Sequence, residues 1–352
     1  MFVLDTHVDT PSMLLEDIDI SHRRERGHID FPRMKEGGVD GAFFAIYTPK
    51  ELDEVEASRY AIRLISKVYD AVDSSNGIAK LALCAQDAYR NKDAGKISVF
   101  MGMENGSPIG KDLKMLRFFH RMGIRYLTLC HNADNLICDS AASDKHTWGG
   151  LSPFGRELVS EMNSLGVLVD VSHTSDDTFY DVLKHSVKPI VATHSCCRSL
   201  CTHRRNITDE MLKDMASEGG VIQINFYPFF LQNHFSNPEL DKLIDEYELW
   251  QKRYREDLKD EVARDKYWSI SDTLNNYPSV SYKRIADHVD YAVSLVGTDH
   301  VGLGSDFDGI EIAPEGLRDI SCYHLILDEL RSRGYLESDI EKIAGGNFLR
   351  LL

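Results

Sequence analysis

The chain opens with Val3-Leu4-Asp5-Thr6-His7-Val8-Asp9-Thr10, which predicts a buried β-strand ending in a His-x-Asp pair. Side chains alternate along a strand, so His7 and Asp9 lie on the same side and can bind one metal ion together. An imidazole and a carboxylate are ligands that zinc and similar divalent ions accept. Two ligands do not complete a site, and an ordinary strand end with a capping aspartate has the same pattern. The prediction depends on whether later strands bring further ligands to this point.

Further predicted strands follow along the chain. Short apolar runs alternate with longer amphipathic stretches, as in parallel sheets built from βα units. The eight predicted strands cover residues 2–8, 41–47, 97–103, 125–130, 167–172, 189–193, 220–226 and 300–305. The predicted helices cover residues 54–75, 111–121, 153–164, 176–184, 208–217, 281–296, 317–333 and 337–344. Eight strands alternating with helices predict an α/β fold, a (β/α)8 TIM barrel, as a single domain over residues 1–352.

One segment, residues 231–280, departs from this alternation. It is rich in charged residues, Tyr and Trp, and it is too long for an ordinary βα loop. We predict a mostly helical insertion after strand seven that covers the mouth of the barrel. A solvated surface excursion or a dimer contact is the alternative.

Composition limits the classes of partner. The formal net charge of -16 and the absence of a basic stripe argue against binding to nucleic acid or to an anionic membrane. No run has the length of a membrane span, and the first residues lack the pattern of a signal peptide, so we expect a cytoplasmic protein. The seven cysteines are an odd number without Cys-x-x-Cys spacing, which favours reduced thiols over a disulfide framework.

Three later strands also end in residues that bind metal ions. Glu104 follows the third strand, His173 follows the fifth, and His194 follows the sixth. Each alone has an ordinary explanation, as a hydrogen-bonded core histidine or as a residue that starts a helix. The carboxyl ends of all strands meet at one face of a TIM barrel, so four such strand ends predict a shared site. With His7 and Asp9, the set is large enough for two divalent ions if Glu104 bridges them.

A pair of metal ions that share a bound water can catalyse metal-assisted hydrolysis. Asp306, at the end of the eighth strand, can take the proton from the attacking water and pass it to a leaving amine. Asp308, which precedes a glycine, either transfers the proton in the same way or stabilises the turn. His131, after the fourth strand, can donate a hydrogen bond to the developing oxyanion. Arg204 or Arg205 can bind a carboxylate in bidentate fashion, or both are surface charges.

These motifs resemble the membrane dipeptidase (renal dipeptidase) family, zinc peptidases among the binuclear amidohydrolase barrels. The resemblance spans nearly the whole chain and includes Asp5-Thr6-His7-Val8-Asp9, His28-Ile29-Asp30-Phe31-Pro32-Arg33-Met34, Gly102-Met103-Glu104-Asn105-Gly106, Asp170-Val171-Ser172-His173, Arg204-Arg205-Asn206, Gly302-Leu303-Gly304-Ser305-Asp306-Phe307-Asp308-Gly309 and Gly345-Gly346-Asn347-Phe348-Leu349-Arg350.

The resemblance implies a TIM barrel that binds two Zn²⁺ ions, although other divalent ions suit such ligands as well. It implies the following ligand set: His7 and Asp9 on one ion, His173 and His194 on the other, and Glu104 across both. It also implies that His131 contacts the scissile carbonyl, that Arg205 holds the substrate's C-terminal carboxylate, and that Asp306 is the proton-transfer residue. The choice of Arg205 over Arg204 depends on its spacing of eleven residues beyond His194.

The predicted activity is hydrolysis of dipeptides by a hydroxide that bridges the two ions, with dipeptides carrying a D-residue at the C-terminal position among the substrates. The chain is similar to the soluble bacterial members, and the resemblance suggests a homodimer. Two alternatives stay open. The same kind of site can act on lactams, cyclic amides or N-acyl amino acids, or the barrel can be a noncatalytic metal- or peptide-binding protein.

Overall fold

Eight parallel strands form a ring in the computed structural model, which describes residues 1–352. With one further strand outside the ring, the chain has nine strands: β1 (Leu4–Val8), β2 (Gly41–Tyr47), β3 (Ala79–Leu81), β4 (Ile97–Glu104), β5 (Ile124–Thr128), β6 (Leu168–Asp170), β7 (Val191–Ser195), β8 (Val221–Ile224) and β9 (Val301–Leu303). Neighbours follow the order β1-β2-β4-β5-β6-β7-β8-β9, while β3 pairs with β4 outside the ring. Backbone hydrogen bonds from Asp306 N–H to the His7 carbonyl (2.9 Å) and from Asp9 N–H to the Phe307 carbonyl (2.8 Å) join the last strand to the first. The predicted TIM barrel is confirmed.

Helices fill the crossovers between these strands. They are α1 (Thr10–Met13), α2 (Phe31–Glu36), α3 (Glu54–Asp73), α4 (Ala85–Asp93), α5 (Leu113–Arg121), α6 (Pro153–Leu165), α7 (Asp176–His185), α8 (Asp209–Ser217), α9 (Pro228–Leu231), α10 (Pro238–Glu256), α11 (Glu261–Asn275), α12 (Lys283–Val296), α13 (His324–Ser332), α14 (Glu337–Glu341) and α15 (Asn347–Leu349). None of them combines the length and the apolar character needed to cross a bilayer.

The predicted elements agree with the structure except where elements are short. The structure adds β3, α1, α2, α4, α9 and α15, which were not predicted. The helix predicted over 317–333 begins only at His324, after a 3₁₀ turn over Ile320–Cys322. Strand β3 has three residues, of which only Ala79 is buried, so it offers no alternating pattern. Short elements of this kind depend on the neighbours against which they pack.

Strand β1 is polar in sequence and yet fully buried. The Thr6 Oγ1 atom donates to the carbonyl oxygens of Thr193 in β7 (2.8 Å) and Leu303 in β9 (3.1 Å). The Asp5 Oδ1 atom accepts a hydrogen bond from the backbone N–H of Ser305, just beyond β9 (2.9 Å). These bonds satisfy the Thr6 hydroxyl and the Asp5 Oδ1 atom, and they fix the end of β1 relative to the other strands.

Aromatic rings fill the barrel below the strand ends. The Phe43 ring stacks on Phe100, with 4.7 Å between centroids, and packs against Tyr126 at 5.1 Å. Gly102 in β4 leaves room for the Tyr126 ring, because a Cβ atom at that position would lie 2.0 Å from its Cζ atom. The Tyr126 hydroxyl can therefore reach His7 from below.

The insertion over 231–280 is mostly helical, as predicted, and contains α10 and α11. Each helix begins at a polar cap: Asn237 accepts backbone N–H bonds at the start of α10, and Asp260 does so at the start of α11. Their apolar faces share one cluster with Met13, which follows β1, and Ile312, which follows β9. The insertion therefore lies over the end of the barrel at which the strands exit.

Candidate metal centre

The five side chains predicted as metal ligands lie together at the strand ends. They are His7 and Asp9 at the end of β1, Glu104 at the end of β4, His173 just after β6, and His194 in β7. All five are at most 7% exposed. Residues far apart in sequence thus form one buried cluster of imidazoles and carboxylates, as the rule for strand ends predicts.

Glu104 lies between two groups of histidines. Its Oε2 atom is 3.6 Å from His7 Nε2, whereas its Oε1 atom is 3.1 Å from His173 Nε2 and 3.5 Å from His194 Nε2. The two carboxylate oxygens therefore have different nearest histidines. Such a carboxylate can bind one ion with each oxygen.

The remaining imidazole atoms are arranged as in metal-binding histidines. Each Nδ1 atom has a partner within the chain: His7 with the Tyr126 hydroxyl (2.7 Å), His173 with Asn132 Oδ1 (3.0 Å), and His194 with Thr193 Oγ1 (2.9 Å). The Nε2 atoms of His7 and His194 are buried and have no hydrogen-bond partner. Buried nitrogen atoms seldom lack partners, and a bound cation would supply one. The residues present therefore fit divalent metal ions with nitrogen and oxygen ligands.

Burial favours the protonation state that binds metal at two of the three candidate histidines. The pKa values of His173 and His194 lie well below the usual value, because burial disfavours the imidazolium ion and the charge of Arg205 adds to the effect. Both rings are consequently neutral near pH 7, and the neutral ring is the form that donates a nitrogen lone pair to a metal.

Asp306 lies beside the cluster on the β9 side. It forms a compact group with His7 and Asp9, in which the candidate ligand atoms are all within 4.8 Å of one another. The Asn225 side-chain amide donates to Asp306 Oδ2 at 2.9 Å. Burial, together with the negative charge of Asp9, raises the pKa of Asp306 to about 6. A carboxyl group with such a pKa can both accept and return a proton near neutral pH.

His131 also lies beside Glu104, at 3.9 Å from its Nε2 atom to Oε1 of Glu104, and its ring contacts the ring of Tyr47 edge to face at 4.8 Å. Burial and the positive charge of Arg205 lower the pKa of His131 to about 3. A neutral ring in this position can donate one hydrogen bond. By distance alone, His131 groups with Glu104 and His173 as closely as the predicted ligands group with one another.

The structure separates the two candidate arginines. Arg204 is exposed and forms a salt bridge with Asp144 at 2.8 Å. Arg205 is buried, its Nε atom has no partner, and its Nη2 atom makes only a long bond to the His194 carbonyl (3.4 Å). Its guanidinium lies over the Phe230 ring at 5.3 Å. Arg205 therefore retains the donors with which an arginine binds a carboxylate.

The contacts of Asp308 are structural. They favour the second explanation given by the sequence, a role in the local backbone, over proton transfer. Its Oδ2 atom accepts from Thr10 Oγ1 (2.8 Å), and its Oδ1 atom accepts from the backbone N–H of His28 (2.6 Å). Both oxygens are thus occupied by the chain, and Asp308 ties the segments that follow β1 and β9 to each other.

The backbone around the site is locally strained. Asn105, His173, Asp306 and Asp308 all have φ in the left-handed region, between 64° and 73°. Such conformations cost roughly 1–3 kcal/mol each for residues with side chains, and they persist where the surroundings fix them. Four of them around one cluster indicate that side-chain placement is constrained there.

Three residues near the cluster escaped the sequence analysis: Tyr126, Asn132 and Asn225. Asn225 directly follows β8 in the structure, but the strand predicted over 220–226 includes it, so the rule for strand ends did not select it. Asn132 follows His131 and gave no separate signal. Tyr126 lies inside β5, where an aromatic residue is ordinary core, and no local pattern distinguishes it.

Comparisons with known proteins agree with this description. The family model for membrane dipeptidase, peptidase family M19, matches residues 1–352. Dipeptidase aclJ of Aspergillus oryzae is 32% identical over 339 residues, which cover 94% of this chain and 71% of that protein. Dipeptidase tcpJ of Claviceps purpurea is 32% identical over 337 residues, which cover 93% of this chain and 69% of that protein.

Solved structures share the fold. A metallopeptidase from Rhodobacter sphaeroides, liganded with a phosphinate mimic of the dipeptide L-Ala-D-Ala, superposes with a TM-score of 0.82 at 27% identity, covering 100% of this chain and 98% of the other. The probable dipeptidase PvdM from Pseudomonas aeruginosa gives 0.84 at 27% identity, covering 100% and 94%. With a family match along its full length and a shared fold, the chain belongs to the membrane dipeptidase family, peptidase family M19, and is a metallopeptidase of the dipeptidase type.

Proposed function

We propose that the protein is a binuclear zinc dipeptidase that hydrolyses L,L dipeptides and dipeptides with a D-residue at the C-terminal position. The observation that carries the proposal is the position of Glu104, whose two oxygens approach the Nε2 atoms of different histidines. His7 and Asp9 would hold one ion, His173 and His194 the other, and Glu104 both. When bound, the two ions would supply an acidified water and polarise the peptide carbonyl.

The chain's own residues would complete the reaction. Asp306, with a pKa raised to about 6 and a hydrogen bond from Asn225, accepts the proton of the attacking water and returns it to the departing amine. His131, neutral because its pKa is low, donates a hydrogen bond to the oxygen that develops negative charge. His131 lies beside Glu104 and Asp306 lies beside Asp9, so both residues border the candidate metal centre.

Arg205 would determine the length of the substrate. A buried guanidinium without a carboxylate partner is costly unless an anion binds it. The C-terminal carboxylate of a dipeptide lies one residue from the scissile bond, so it can bind Arg205 while the bond lies at the metal centre. A longer peptide would place an uncharged amide there. The L-Ala-D-Ala mimic bound by the Rhodobacter sphaeroides relative supports the inclusion of D-residues.

The test is hydrolysis by the zinc-loaded protein of a panel of L,L and L,D dipeptides, with the matching tripeptides as controls. We expect turnover of dipeptides only, and a panel without any hydrolysed dipeptide would refute the proposal. In parallel, Asp306→Asn should abolish turnover and leave the zinc content unchanged. Loss of zinc from that variant would instead make Asp306 a ligand.

A further inference from the structure

Glu311 is an acidic residue at the barrel mouth for which the proposed mechanism has no use. It lies five residues beyond Asp306, on the segment that leaves β9. Its neighbours hold this segment from both sides, because Ile310 packs into the main core and Ile312 into the cluster of the insertion. Gly309 brings the segment against the metal centre, since a Cβ atom there would lie 2.8 Å from Asp306 Oδ1.

No cation of the chain neutralises Glu311. Its Oε2 atom is buried and has no hydrogen-bond partner, and the side chain forms no salt bridge. Two negative groups, Glu248 of α10 and Asp306, act on it, and the Tyr227 hydroxyl is a polar neighbour. Burial raises the pKa of Glu311 to about 7, with smaller contributions from these two negative charges. A buried carboxylate in such surroundings is unfavourable by itself and would be stabilised by a bound cation.

The position of Glu311 relative to Arg205 suits a substrate with two opposite charges. Arg205 lies over the Phe230 ring, and Phe230 contacts the Tyr227 ring edge to face at 5.0 Å. The Tyr227 hydroxyl in turn neighbours Glu311. The mouth of the barrel thus carries a guanidinium and a carboxylate without ionic partners, and contacts through the rings of Phe230 and Tyr227 connect the two groups.

We propose that Glu311 is a specificity-determining residue that binds an ammonium group of the substrate, an inference that rests on the proposed dipeptidase function. A carboxylate and a tyrosine hydroxyl are suitable acceptors for a primary ammonium. A dipeptide offers that group in two places, at its amino end or on a lysine side chain, and the chemistry at Glu311 is the same for both.

The experiment compares kcat/KM of the zinc-loaded wild-type protein with that of Glu311→Gln, which keeps the size of the side chain and removes its charge. Five substrates separate the two sources of the ammonium: Ala-Ala, Lys-Ala, Ala-Lys and the neutral counterparts norleucine-Ala and Ala-norleucine. The matched control is Glu315→Gln, an exposed glutamate of the same segment, with which kcat/KM should not change. Zinc content and thermal stability of each variant show whether it is folded.

If Glu311 binds the amino end, Glu311→Gln should lower kcat/KM roughly tenfold or more for all five substrates. If it binds a side chain, the same loss should appear for one of the two lysine dipeptides only, and the wild-type protein should prefer that dipeptide to its norleucine counterpart. The inference is overturned if the wild-type protein is active and folded Glu311→Gln has the same kcat/KM on every substrate. If Glu311→Gln does not fold, the wild-type protein alone provides the test. The inference is overturned if the wild-type protein shows no preference for a lysine dipeptide and binds N-acetylated Ala-Ala as well as Ala-Ala. A wild-type protein inactive on all five would remove the proposed function, and this inference with it.

Discussion

At the scale of single residues, burial separates side chains that the sequence presents as equivalent. Arg204 and Arg205 are adjacent, yet one is exposed and paired with Asp144, whereas the other is buried without a carboxylate partner. A guanidinium that is already paired at the surface contributes little to binding, because solvent screens it. A buried unpaired guanidinium binds an anion strongly, since it exchanges an unfavourable environment for a paired one.

Replacing each arginine by alanine should therefore have unequal effects. We expect Arg205→Ala to lower kcat/KM for dipeptides by about a hundredfold or more, in line with the loss of a buried charge partner. Arg204→Ala is the matched control and should change kcat/KM less than about twofold. Steady-state kinetics with Ala-Ala measures both. An Arg205→Ala protein that keeps wild-type activity would point to substrates without a carboxylate, such as lactams or cyclic amides.

Tyr126 contacts the candidate metal ligand His7 from inside the barrel. His7 Nε2 must be free of its proton to bind a metal. In that state Nδ1 carries the proton and donates a hydrogen bond to the Tyr126 oxygen at 2.7 Å. We expect Tyr126→Phe to lower zinc affinity or activity by roughly 10- to 100-fold, the usual effect of removing such a partner. Competition with a chelator measures the affinity. Tyr69→Phe, which removes a hydroxyl bonded to the Met122 carbonyl, serves as the control. Equal zinc affinity and equal activity in the two variants would assign Tyr126 a packing role only.

At the scale of elements, the barrel strands supply the candidate site, and the insertion packs at the same end of the barrel. Helices α10 and α11 have their own apolar cluster, which reaches the barrel through the segments after β1 and β9. An element held by a separate cluster can open without unfolding the rest of the molecule. The insertion is therefore expected to behave as a separate unit of local stability.

Leu240 tests this expectation, because it is fully buried in the cluster of the insertion. We expect Leu240→Ala to cost about 2–5 kcal/mol of local stability, as buried leucine truncations do. Hydrogen exchange should accelerate over 238–275 while the barrel strands keep their protection. Leu249→Ala on the same helix is the control, since Leu249 is 62% exposed. Equal acceleration in the barrel strands would show that the insertion and the barrel unfold together.

At the scale of the whole molecule, the buried cluster links metal binding to stability. The site gathers residues from β1, β4, β6 and β7, so an ion bound there holds distant parts of the chain in place. Any ligand that binds only the folded state raises the free energy of unfolding by mass action.

Removal of metal with a chelator should therefore lower the melting temperature, and zinc should restore it. At a free zinc concentration of 100 times Kd, the expected gain is about 2.7 kcal/mol for each independent site. Calorimetry with and without zinc measures the effect, and elemental analysis gives the number of ions. In Glu104→Gln the zinc-dependent gain should largely disappear, because the proposed bridge loses its charge. A wild-type melting temperature that does not respond to zinc would contradict a metal site in this cluster.

The sequence alone determined the eight barrel strands, the helical insertion and the set of strand ends that form the cluster. These features depend on local patterns, because apolar runs mark strands, and the geometry of parallel strands then brings their ends to one face. The three-residue β3 was missed since three residues carry no such pattern. The roles given to the ligands, His131, Arg205 and Asp306 stay predictions.

Only the tertiary structure decided which polar groups have partners. Local sequence does not give the difference between Arg204 and Arg205 or the unpaired carboxylate of Glu311, and it leaves the two explanations of Asp308 open. Tyr126 reaches His7 across 119 positions, and Asn225 reaches Asp306 across 81. Such pairs depend on the packing of side chains from separate strands in a barrel of one particular size, and a pattern that extends over a few residues contains no information about that packing.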